Sequence, residues 1–359
     1  MQVEDQCDVD FETLRSQHLK EVRAYTAEAV DRLSWTREQV LEEQTRRLRK
    51  IIGHAQQSSL FYADRLGHIE ASTFEVSDLV NIPPLTKNEV MENWDRLVTD
   101  SRLRKNDVTV HLERLHSGHN SNAYYLGEFC AAATGGTSGQ RGLFLWDWES
   151  FIIIANLAYR MEAQKDMLEP PPHPRRTAVI CAGSYVHASR FAFPAMLDTD
   201  REARVFPADL PIDRMVEQFN VYQPDRIVGY ASIVQELCAQ ALDGRLQVRP
   251  QRISTNSEPL FPEARAMAQE TWGINIHNNW GSVEIGMGAT EGDSFQGATL
   301  AEDFLIFEPV DDHDQPVQDD TCADRLLVTK LYGHVMPMIR YEMPDSVIID
   351  DRENPDAPA

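Results

Sequence analysis

Helical periodicity dominates the first third of the chain. Apolar residues recur there at three- and four-residue intervals, the spacing of one helix face: Leu33, Val40, Leu41, Leu48, Ile51 and Ile52. Charged residues crowd the other positions of 37–47, and we expect them to form a solvated face. A double proline ends this pattern, and Thr86 with Glu89 then forms a capping box that predicts a helix over 87–97.

Strand and helix patterns alternate through much of the remaining chain. Short apolar and β-branched runs predict strands over 144–148, 177–181, 226–229 and 252–255. Longer runs predict helices over 149–161, 233–242 and 262–272. This alternation predicts an α/β fold of layered sheets with a substantial parallel part. The acidic stretch Asp311–Asp320 is predicted to be a loop.

Net charge narrows the classes of partner. The 359 residues include 34 Lys+Arg and 57 Asp+Glu, which gives a net charge of −23. Such a surface repels nucleic acid and anionic lipid, so we expect neither nucleic acid nor membrane as a partner. The longest apolar run, Phe151–Ala155, is far shorter than the roughly 20 residues that cross a bilayer, and no signal peptide is recognisable, so we expect a cytoplasmic protein. The 5 scattered cysteines are expected to be reduced thiols.

The Gly/Ser/Thr segment from Ala133 to Gly142 is the main candidate for chemistry. Its glycines and small hydroxyls let backbone N–H groups approach an anion closely, so the segment can close around phosphate. A Walker-type loop needs a lysine before its final hydroxyl, whereas Gln140 follows Gly139 here. From these residues alone, a phosphate site and an ordinary flexible turn are equally open.

Four motifs in chain order resemble those of the adenylate-forming enzymes, most closely the phenylacetate–CoA ligase branch. The motifs are Thr134–Arg141, Asn256–Leu260, Trp280–Glu284 and Met336–Asp345, and the shorter matches are Phe61–Tyr62 and Pro84–Lys87. The likeness spans nearly the whole chain and implies a large N-terminal adenylation domain with a mobile C-terminal lid. It divides the sequence into a mainly helical lead-in over 1–100, an α/β adenylation core over 101–345 and the start of an interdomain hinge over 346–359.

The resemblance also implies a role for each matched residue. Thr137 and Ser138 would contact the ATP phosphates and Glu284 would hold Mg²⁺, so these three are the implied catalytic residues. Trp280 would stack on adenine, and Asp345 would accept the ribose hydroxyls. The other implied nucleotide contacts are Thr134, Gly135, Gly136, Gly139, Arg141, Ser257, Glu258, Pro259, Gly281 and Arg340. The candidates for an acyl pocket are Tyr185, His187 and Tyr230.

These residue types suit acid activation for physical reasons. A carboxylate that attacks the α-phosphate meets anion–anion repulsion, so a divalent cation and hydrogen-bond donors must neutralise the charge of the transition state. One ionised carboxylate can accept both hydroxyls of a ribose, which is the role implied for Asp345. An aromatic face under a base, as implied for Trp280, contributes about 1–3 kcal/mol.

The sequence departs from the family pattern at three places. Gln140 replaces the loop lysine and Arg141 follows it, which displaces the cation by one position, and Val283 removes a hydroxyl from the third motif. The sequence stops at Ala359, fourteen residues beyond Asp345, where the resemblance implies a further domain of roughly 100 residues with a catalytic lysine. We therefore expect the lid to be absent from this chain, so that adenylation is slow and thioester formation does not occur.

The predicted function is ATP-dependent activation of a small-molecule carboxylic acid as an acyl-adenylate. ATP and Mg²⁺ would be required, and coenzyme A would be the co-substrate for thioester formation in the intact protein. Two alternatives stay open: transfer of AMP or the acyl group to another acceptor, and a nucleotide-binding pseudoenzyme. The sequence does not identify the acid, and it is compatible with a homodimer.

Overall fold

Helices form the first part of the computed structural model, which describes residues 10–118, 122–134, 142–191, 203–292, 297–317, 321–343, 345 and 347–349. The helices are α1 Phe11–Asp31, α2 Arg37–Ser58, α3 Leu60–Leu66, α4 Lys87–Glu92, α5 Trp94–Leu97 and α6 Lys105–His116. Short 3₁₀ helices cover Arg32–Ser34, Ala71–Thr73 and Val76–Asn81. Side chains at the helix starts satisfy free backbone N–H groups: Asp10 caps α1, and capping boxes begin α2 at Thr36 and α4 at Thr86.

A small antiparallel sheet precedes the longest central helix. Its strands are β1 Tyr124–Tyr125, β2 Phe129–Ala133 and β3 Leu143–Trp146, and α7 follows over Trp148–Leu168. Asp147 caps α7 by accepting a hydrogen bond from Ser150 N. Its second carboxylate oxygen accepts from His334 N at 2.7 Å and Val335 N at 3.1 Å, so one side chain joins the helix start to a distant loop.

A seven-stranded mixed sheet is the centre of the described structure. Its strands are β4 Thr177–Cys181, β5 Ala203–Pro207, β6 Arg226–Gly229, β7 Arg252–Thr255, β8 Ile276–Ser282, β9 Gly286–Thr290 and β10 Thr299–Leu300. The order is β10-β9-β8-β7-β6-β4-β5, with β4 to β8 parallel and the last two strands antiparallel. The helices between these strands are α8 Ile212–Tyr222, α9 Ala231–Leu242 and α10 Pro262–Trp272.

A third sheet contains the last described strands, β11 Leu305–Val310, β12 Arg325–Lys330 and β13 Tyr341–Met343, all antiparallel. Both faces of the large sheet are covered, as residues of β4 show by alternating between two apolar clusters. Val179 and Cys181 belong to a cluster that unites the N-terminal helices, α7 and parts of all three sheets. Ala178 and Ile180 belong to a second cluster with α8, α9 and α10. Parallel strands are typically buried on both faces in this way.

The structure confirms the predicted α/β class and corrects several local predictions. The strands over 177–181, 226–229 and 252–255 and the helix over 262–272 have the predicted bounds. The helix predicted over 149–161 runs from Trp148 to Leu168, and the one predicted over 87–97 is interrupted at Asn93. No helix in the described part of the chain is long and apolar enough to cross a membrane.

The face predicted to be solvated on α2 contains a buried carboxylate. Glu43 is 9% exposed and accepts hydrogen bonds from Arg46 and Arg47, and it also pairs with Arg32 from the preceding 3₁₀ helix. Burial opposes ionisation, but these guanidinium hydrogen bonds lower the pKa of Glu43 to about 2. Leu41, predicted to be in the core, is 41% exposed, because the apolar face of α2 is narrower than the spacing suggests.

Candidate functional site

A cavity of about 430 Å³ lies at the carboxyl ends of β6, β7 and β8. In α/β sheets this edge is the usual place for ligands, because loops of variable sequence meet there. The polar side chains that line the cavity are Thr134, His187, Ser189, Tyr230, Asn256, Ser257, Asn279, Ser282 and Glu284. The structure therefore brings together residues from three of the four sequence motifs.

Glu284 is the only carboxylate among the described residues that line this cavity. It lies in the turn between β8 and β9, where it is 8% exposed, and Lys87 Nζ is 3.7 Å from its Oε1. The Tyr341 hydroxyl donates a hydrogen bond to the same oxygen at 3.4 Å. Burial and then the Glu284 carboxylate raise the pKa of Tyr341, so the phenol stays protonated and remains a donor.

Thr134 joins the two ends of the Gly/Ser/Thr segment. Its Oγ1 accepts from Gly142 N at 2.9 Å and from Lys87 Nζ at 3.0 Å, while its own N–H donates to the Gly142 carbonyl at 2.9 Å. One ammonium group thus contacts the base of the segment and the carboxylate of Glu284. The residues between these ends lie outside the described part of the chain; among the predicted site residues they include Gly135, Gly136, Thr137, Ser138, Gly139 and Arg141.

Lys87 is a site residue that the sequence reasoning missed. The Pro84–Lys87 motif was interpreted only as a helix start, and the capping box at Thr86 confirms that start. The signal that could have found Lys87 is Gln140, which stands where the resemblance implies a loop lysine, so that a segment expected to bind phosphate would need another cation. Asn256, Asn279 and Ser282 were also missed as cavity-lining groups.

Trp280 and Asp345, the two residues implied for the nucleoside, are in contact outside the cavity lining. Trp280 Nε1 donates to Asp345 Oδ1 at 3.3 Å, and the indole lies over Gly288, where a Cβ would collide with it. The next residue, Gly281, lines the cavity at a register shift between β8 and β9, and a Cβ there would collide with the Gly286 carbonyl. Trp280 and Asp345 therefore contact each other, and the residue that follows Trp280 lines the cavity.

The Asn256–Leu260 motif divides between the cavity and the start of α9. Ser257 lines the cavity with a φ of 65°, a left-handed conformation that is uncommon for residues other than glycine. Glu258 Oε2 accepts a hydrogen bond from Ser232 N at 3.0 Å, so this carboxylate holds the first turn of α9. Pro259 is exposed. Of the implied contacts in this motif, only Ser257 faces the cavity.

Of the three acyl-pocket candidates, two line the cavity and one lies elsewhere. His187 and Tyr230 line the cavity, and the Tyr230 hydroxyl is 2.8 Å from Ser189 Oγ. Tyr185 does not belong to the described lining: its ring packs edge-on against Phe11 at 5.2 Å. Its ring also lies 6.0 Å from that of Phe191, so Tyr185 packs among aromatic side chains.

Arg340 is buried, and its guanidinium is bonded to other groups of the protein. Its side chain is 2% exposed, its Nε donates to Glu308 at 3.0 Å, and its Nη1 donates to the carbonyls of Val80 and Ile82. Protein groups thus engage the guanidinium, which does not line the cavity. Arg340 therefore joins the start of β13 to the segment before α4, and its implied nucleotide contact stays a prediction.

The described residues suit a weakly coordinated divalent cation rather than a preformed metal cage. No group of three or more His, Cys, Asp or Glu side chains converges within the described ranges. Mg²⁺ is commonly held by one or two carboxylates together with substrate phosphates. The single cavity carboxylate, Glu284, fits that mode of binding.

Comparison with solved structures identifies the fold. A 2-hydroxyisobutyryl-CoA ligase in complex with 2-HIB-AMP and CoA, in an open conformation, superimposes with a TM-score of 0.66 at 17% identity, over 90% of this chain and 73% of that one. The same ligase in its thioesterification state gives a TM-score of 0.67 at 18% identity, over 90% and 66% of the two chains. This chain therefore spans about two thirds of that enzyme in the second structure and shares its fold. Neither a family model nor a curated protein matches the sequence.

Proposed function

We propose that this chain, whose fold is that of 2-hydroxyisobutyryl-CoA ligase, activates a carboxylic acid with ATP to form an acyl-adenylate. The observation that carries the proposal is the convergence of Thr134, Lys87 and Glu284 at the base of the Gly/Ser/Thr segment. A phosphate-binding segment, a cation and a carboxylate meet there at the carboxyl edge of a parallel sheet. The phenylacetate–CoA ligase-like motifs favour that branch of the adenylate-forming enzymes.

In the proposed reaction, a carboxylate oxygen of the acid attacks the α-phosphorus of ATP. The new bond joins that oxygen to phosphorus, the bond to the bridging α–β oxygen breaks, and pyrophosphate leaves with its electron pair. No proton is transferred in this step, so the chain's main task is to orient two anions and to offset their repulsion.

Different residues would orient the two anions and offset their repulsion. Lys87 would bring a positive charge to the phosphates from the base of the segment, and Glu284 would hold Mg²⁺. When bound, Mg²⁺ neutralises phosphate charge and makes pyrophosphate a better leaving group. Trp280 would stack on the adenine, and Asp345 would accept the ribose hydroxyls from beside it.

The acid would occupy the part of the cavity lined by His187 and Tyr230. Coenzyme A is the proposed acceptor of the activated acid in the intact protein, because the solved ligase with this fold was captured with CoA. Transfer of AMP or the acyl group to another acceptor remains the alternative within enzymes.

Acid-dependent exchange of labelled pyrophosphate into ATP tests the proposal directly. A panel of small aliphatic and aromatic acids should include at least one that supports exchange above the acid-free rate. Glu284→Gln should abolish that exchange, whereas Glu38→Gln, which removes the same charge from an exposed position on α2, should retain it. Full exchange by the Glu284 variant would contradict the proposed metal role.

Calorimetry separates the enzyme from a nucleotide-binding pseudoenzyme, which Gln140 in place of the loop lysine favours. ATP with Mg²⁺ should bind the wild type in the micromolar to millimolar range and should bind Asp345→Ala much more weakly. Saturable ATP binding with no exchange for any acid, also in a protein to which the lid domain has been restored, would support the pseudoenzyme. No ATP binding by the wild type would contradict both functions.

A further inference from the structure

A second and larger cavity, of about 850 Å³, lies at the opposite edge of the central sheet. Arg226, Arg252 and Ile276 line it, and they are the first residues of β6, β7 and β8. The candidate active site lies at the other ends of these strands, about 10 Å away along β6 at roughly 3.3 Å per residue. The described linings of the two cavities have no residue in common.

This cavity is cationic within a strongly acidic protein. Among the described residues, its cationic side chains are Lys165, Arg175, Arg226, Arg252 and Arg265. Its carboxylates are Glu162, Asp225 and Glu291. The excess of positive charge contrasts with the net charge of −23 for the whole chain, so it is a local property of this edge.

Arg226 is a buried member of this group of positive charges. Its side chain is 1% exposed, and its Nη2 forms an ion pair with Glu162 Oε2. The other carboxylate oxygen of Glu162 is 2.8 Å from Arg252 Nε, so two guanidinium groups share one carboxylate. Among the described residues, no acceptor forms a hydrogen bond with Nε or Nη1 of Arg226. Buried guanidinium N–H groups normally have acceptors, so these two N–H groups are unsatisfied within the described structure.

Two of the other arginines at this edge, Arg265 and Arg175, have carboxylates of their own. Arg265 Nη2 is 2.6 Å from Glu291, and Arg175 Nη1 is 2.5 Å from Asp166. The carboxylate of Asp225 accepts a hydrogen bond from Arg176 N. The shared carboxylate of Glu162 therefore leaves the Arg226 and Arg252 pair as the place where an additional anion would be most stabilised.

We propose that this cavity binds an oxyanion, a phosphate or carboxylate group of a small molecule, at Nε and Nη1 of Arg226. The planar fork of arginine suits two oxygens of either group. The volume lies within the range of small-molecule sites, so the oxyanion can belong to a metabolite-sized ligand. Burial and the neighbouring Arg252 lower the pKa of Arg226 to about 9, which still leaves it cationic at neutral pH.

The test measures binding of inorganic phosphate and of citrate to the purified protein, by calorimetry and by thermal shift, at ionic strength held constant with sodium chloride. Each anion that binds should raise the melting temperature above the chloride baseline. Arg226→Gln should weaken binding at least tenfold. Arg214→Gln is the matched control, because it removes the same charge from a side chain that is 69% exposed on α8, and it should bind as the wild type does.

Glu162→Gln gives a test that does not depend on loss of binding. Removing the shared carboxylate should tighten phosphate or citrate binding, and it should lower the melting temperature by an amount that the anion restores. Equal or weaker binding by this variant would overturn the proposal, and so would a wild type that responds to neither anion. Retained ATP binding in Glu162→Gln and Arg226→Gln would show that this site is separate from the proposed active site.

Discussion

At the scale of single residues, Lys87 brings a positive charge to the base of the Gly/Ser/Thr segment, which has Gln140 where the resemblance implies a lysine. Charge-assisted hydrogen bonds contribute about 1.5–3 kcal/mol, which corresponds to roughly ten- to hundredfold in affinity. We therefore expect Lys87→Gln to weaken binding of ATP with Mg²⁺ by about that factor in calorimetry. The reason is that Lys87 Nζ lies 3.0 Å from Thr134 Oγ1 and 3.7 Å from Glu284 Oε1, where phosphate charge would gather.

The control for this prediction is Lys20→Gln, which removes the same charge from an exposed position on α1 and should bind ATP normally. Lys87→Arg should recover part of the affinity, because the charge is kept but the ammonium geometry is lost. Unchanged ATP affinity in Lys87→Gln would mean that Lys87 only stabilises the base of the segment.

His18 controls a pH dependence of stability at the junction of α1 and α7. Its Nε2 is 2.9 Å from the Trp148 carbonyl and its Nδ1 is 3.0 Å from the Tyr124 hydroxyl, so the neutral ring donates to one and accepts from the other. Burial lowers the pKa of His18 to about 4, although the carbonyl contact opposes this. The folded state therefore favours the neutral ring, and its stabilising contribution is present above pH 6.5 and lost as the pH falls towards 4.

Between pH 7 and pH 5, this single group should remove about 2 kcal/mol from the free energy of unfolding. Urea titrations at the two pH values measure that loss. His18→Gln, which cannot titrate, should lose less stability over this interval, while His68→Gln, at an exposed position, should lose as much as the wild type. An equal loss in the wild type and His18→Gln would assign the effect to other groups.

Some of the predicted site residues line the cavity and others lie elsewhere, and the difference has a physical basis. Glu284, Ser257 and His187 line the cavity because backbone turns at strand ends aim them there, and those turns are local in sequence. The positions of the Lys87 and Arg340 side chains depend instead on contacts with residues that are distant in the sequence. Lys87 meets Thr134 across 47 residues, and Arg340 finds its carbonyl partners more than 250 residues away. Spacing along the chain contains no information about such contacts.

At the scale of elements, two helices that begin with the same type of capping box have different roles. Thr36 begins α2, which packs in the core, while Thr86 begins α4, whose first residue is Lys87. Replacing either threonine by alanine should destabilise the protein by about 1 kcal/mol, measured by urea unfolding. Only Thr86→Ala should also weaken ATP binding, because the cap fixes the backbone from which Lys87 reaches Thr134.

The pair of variants separates loss of stability from loss of positioning. Equal ATP affinity in Thr36→Ala and Thr86→Ala would show that Lys87 reaches the phosphates without help from its helix cap. Weakened binding in both variants would show that global stability, rather than the local cap, controls the site.

Local patterns predicted several elements closely but not their arrangement. The strand over 177–181 and the helix over 262–272 have the predicted bounds, since β-branched runs and a proline at a helix start are local signals. The strand order β8-β7-β6-β4-β5 results from crossover connections, which leave no periodic trace in the sequence. The burial of Glu43 was also missed, because it depends on tertiary packing, although two of its arginine partners, Arg46 and Arg47, are on the same helix.

At the scale of the whole molecule, the net charge of −23 opposes folding by self-repulsion. Salt screens such repulsion over a Debye length of about 10 Å at 0.1 M. We therefore expect the melting temperature to rise as sodium chloride increases from roughly 10 mM to roughly 0.15 M, across which the Debye length falls from about 30 Å to about 8 Å. Differential scanning fluorimetry at constant pH measures the rise.

The opposing effect comes from attractive ion pairs, which salt also weakens. The buried pairs are screened least, such as Arg160 with Asp303 at 2.6 Å, whose side chains are 7% and 5% exposed. Exposed pairs contribute only about 0–1 kcal/mol each. Repulsion among the carboxylates, which outnumber the Lys and Arg side chains by 57 to 34, should therefore dominate the salt response. A double variant, Glu38→Gln with Glu42→Gln on the exposed face of α2, should melt higher than the wild type at low salt and gain less from added salt. A melting temperature that falls with salt would mean instead that the surface charges are arranged in net attractive networks.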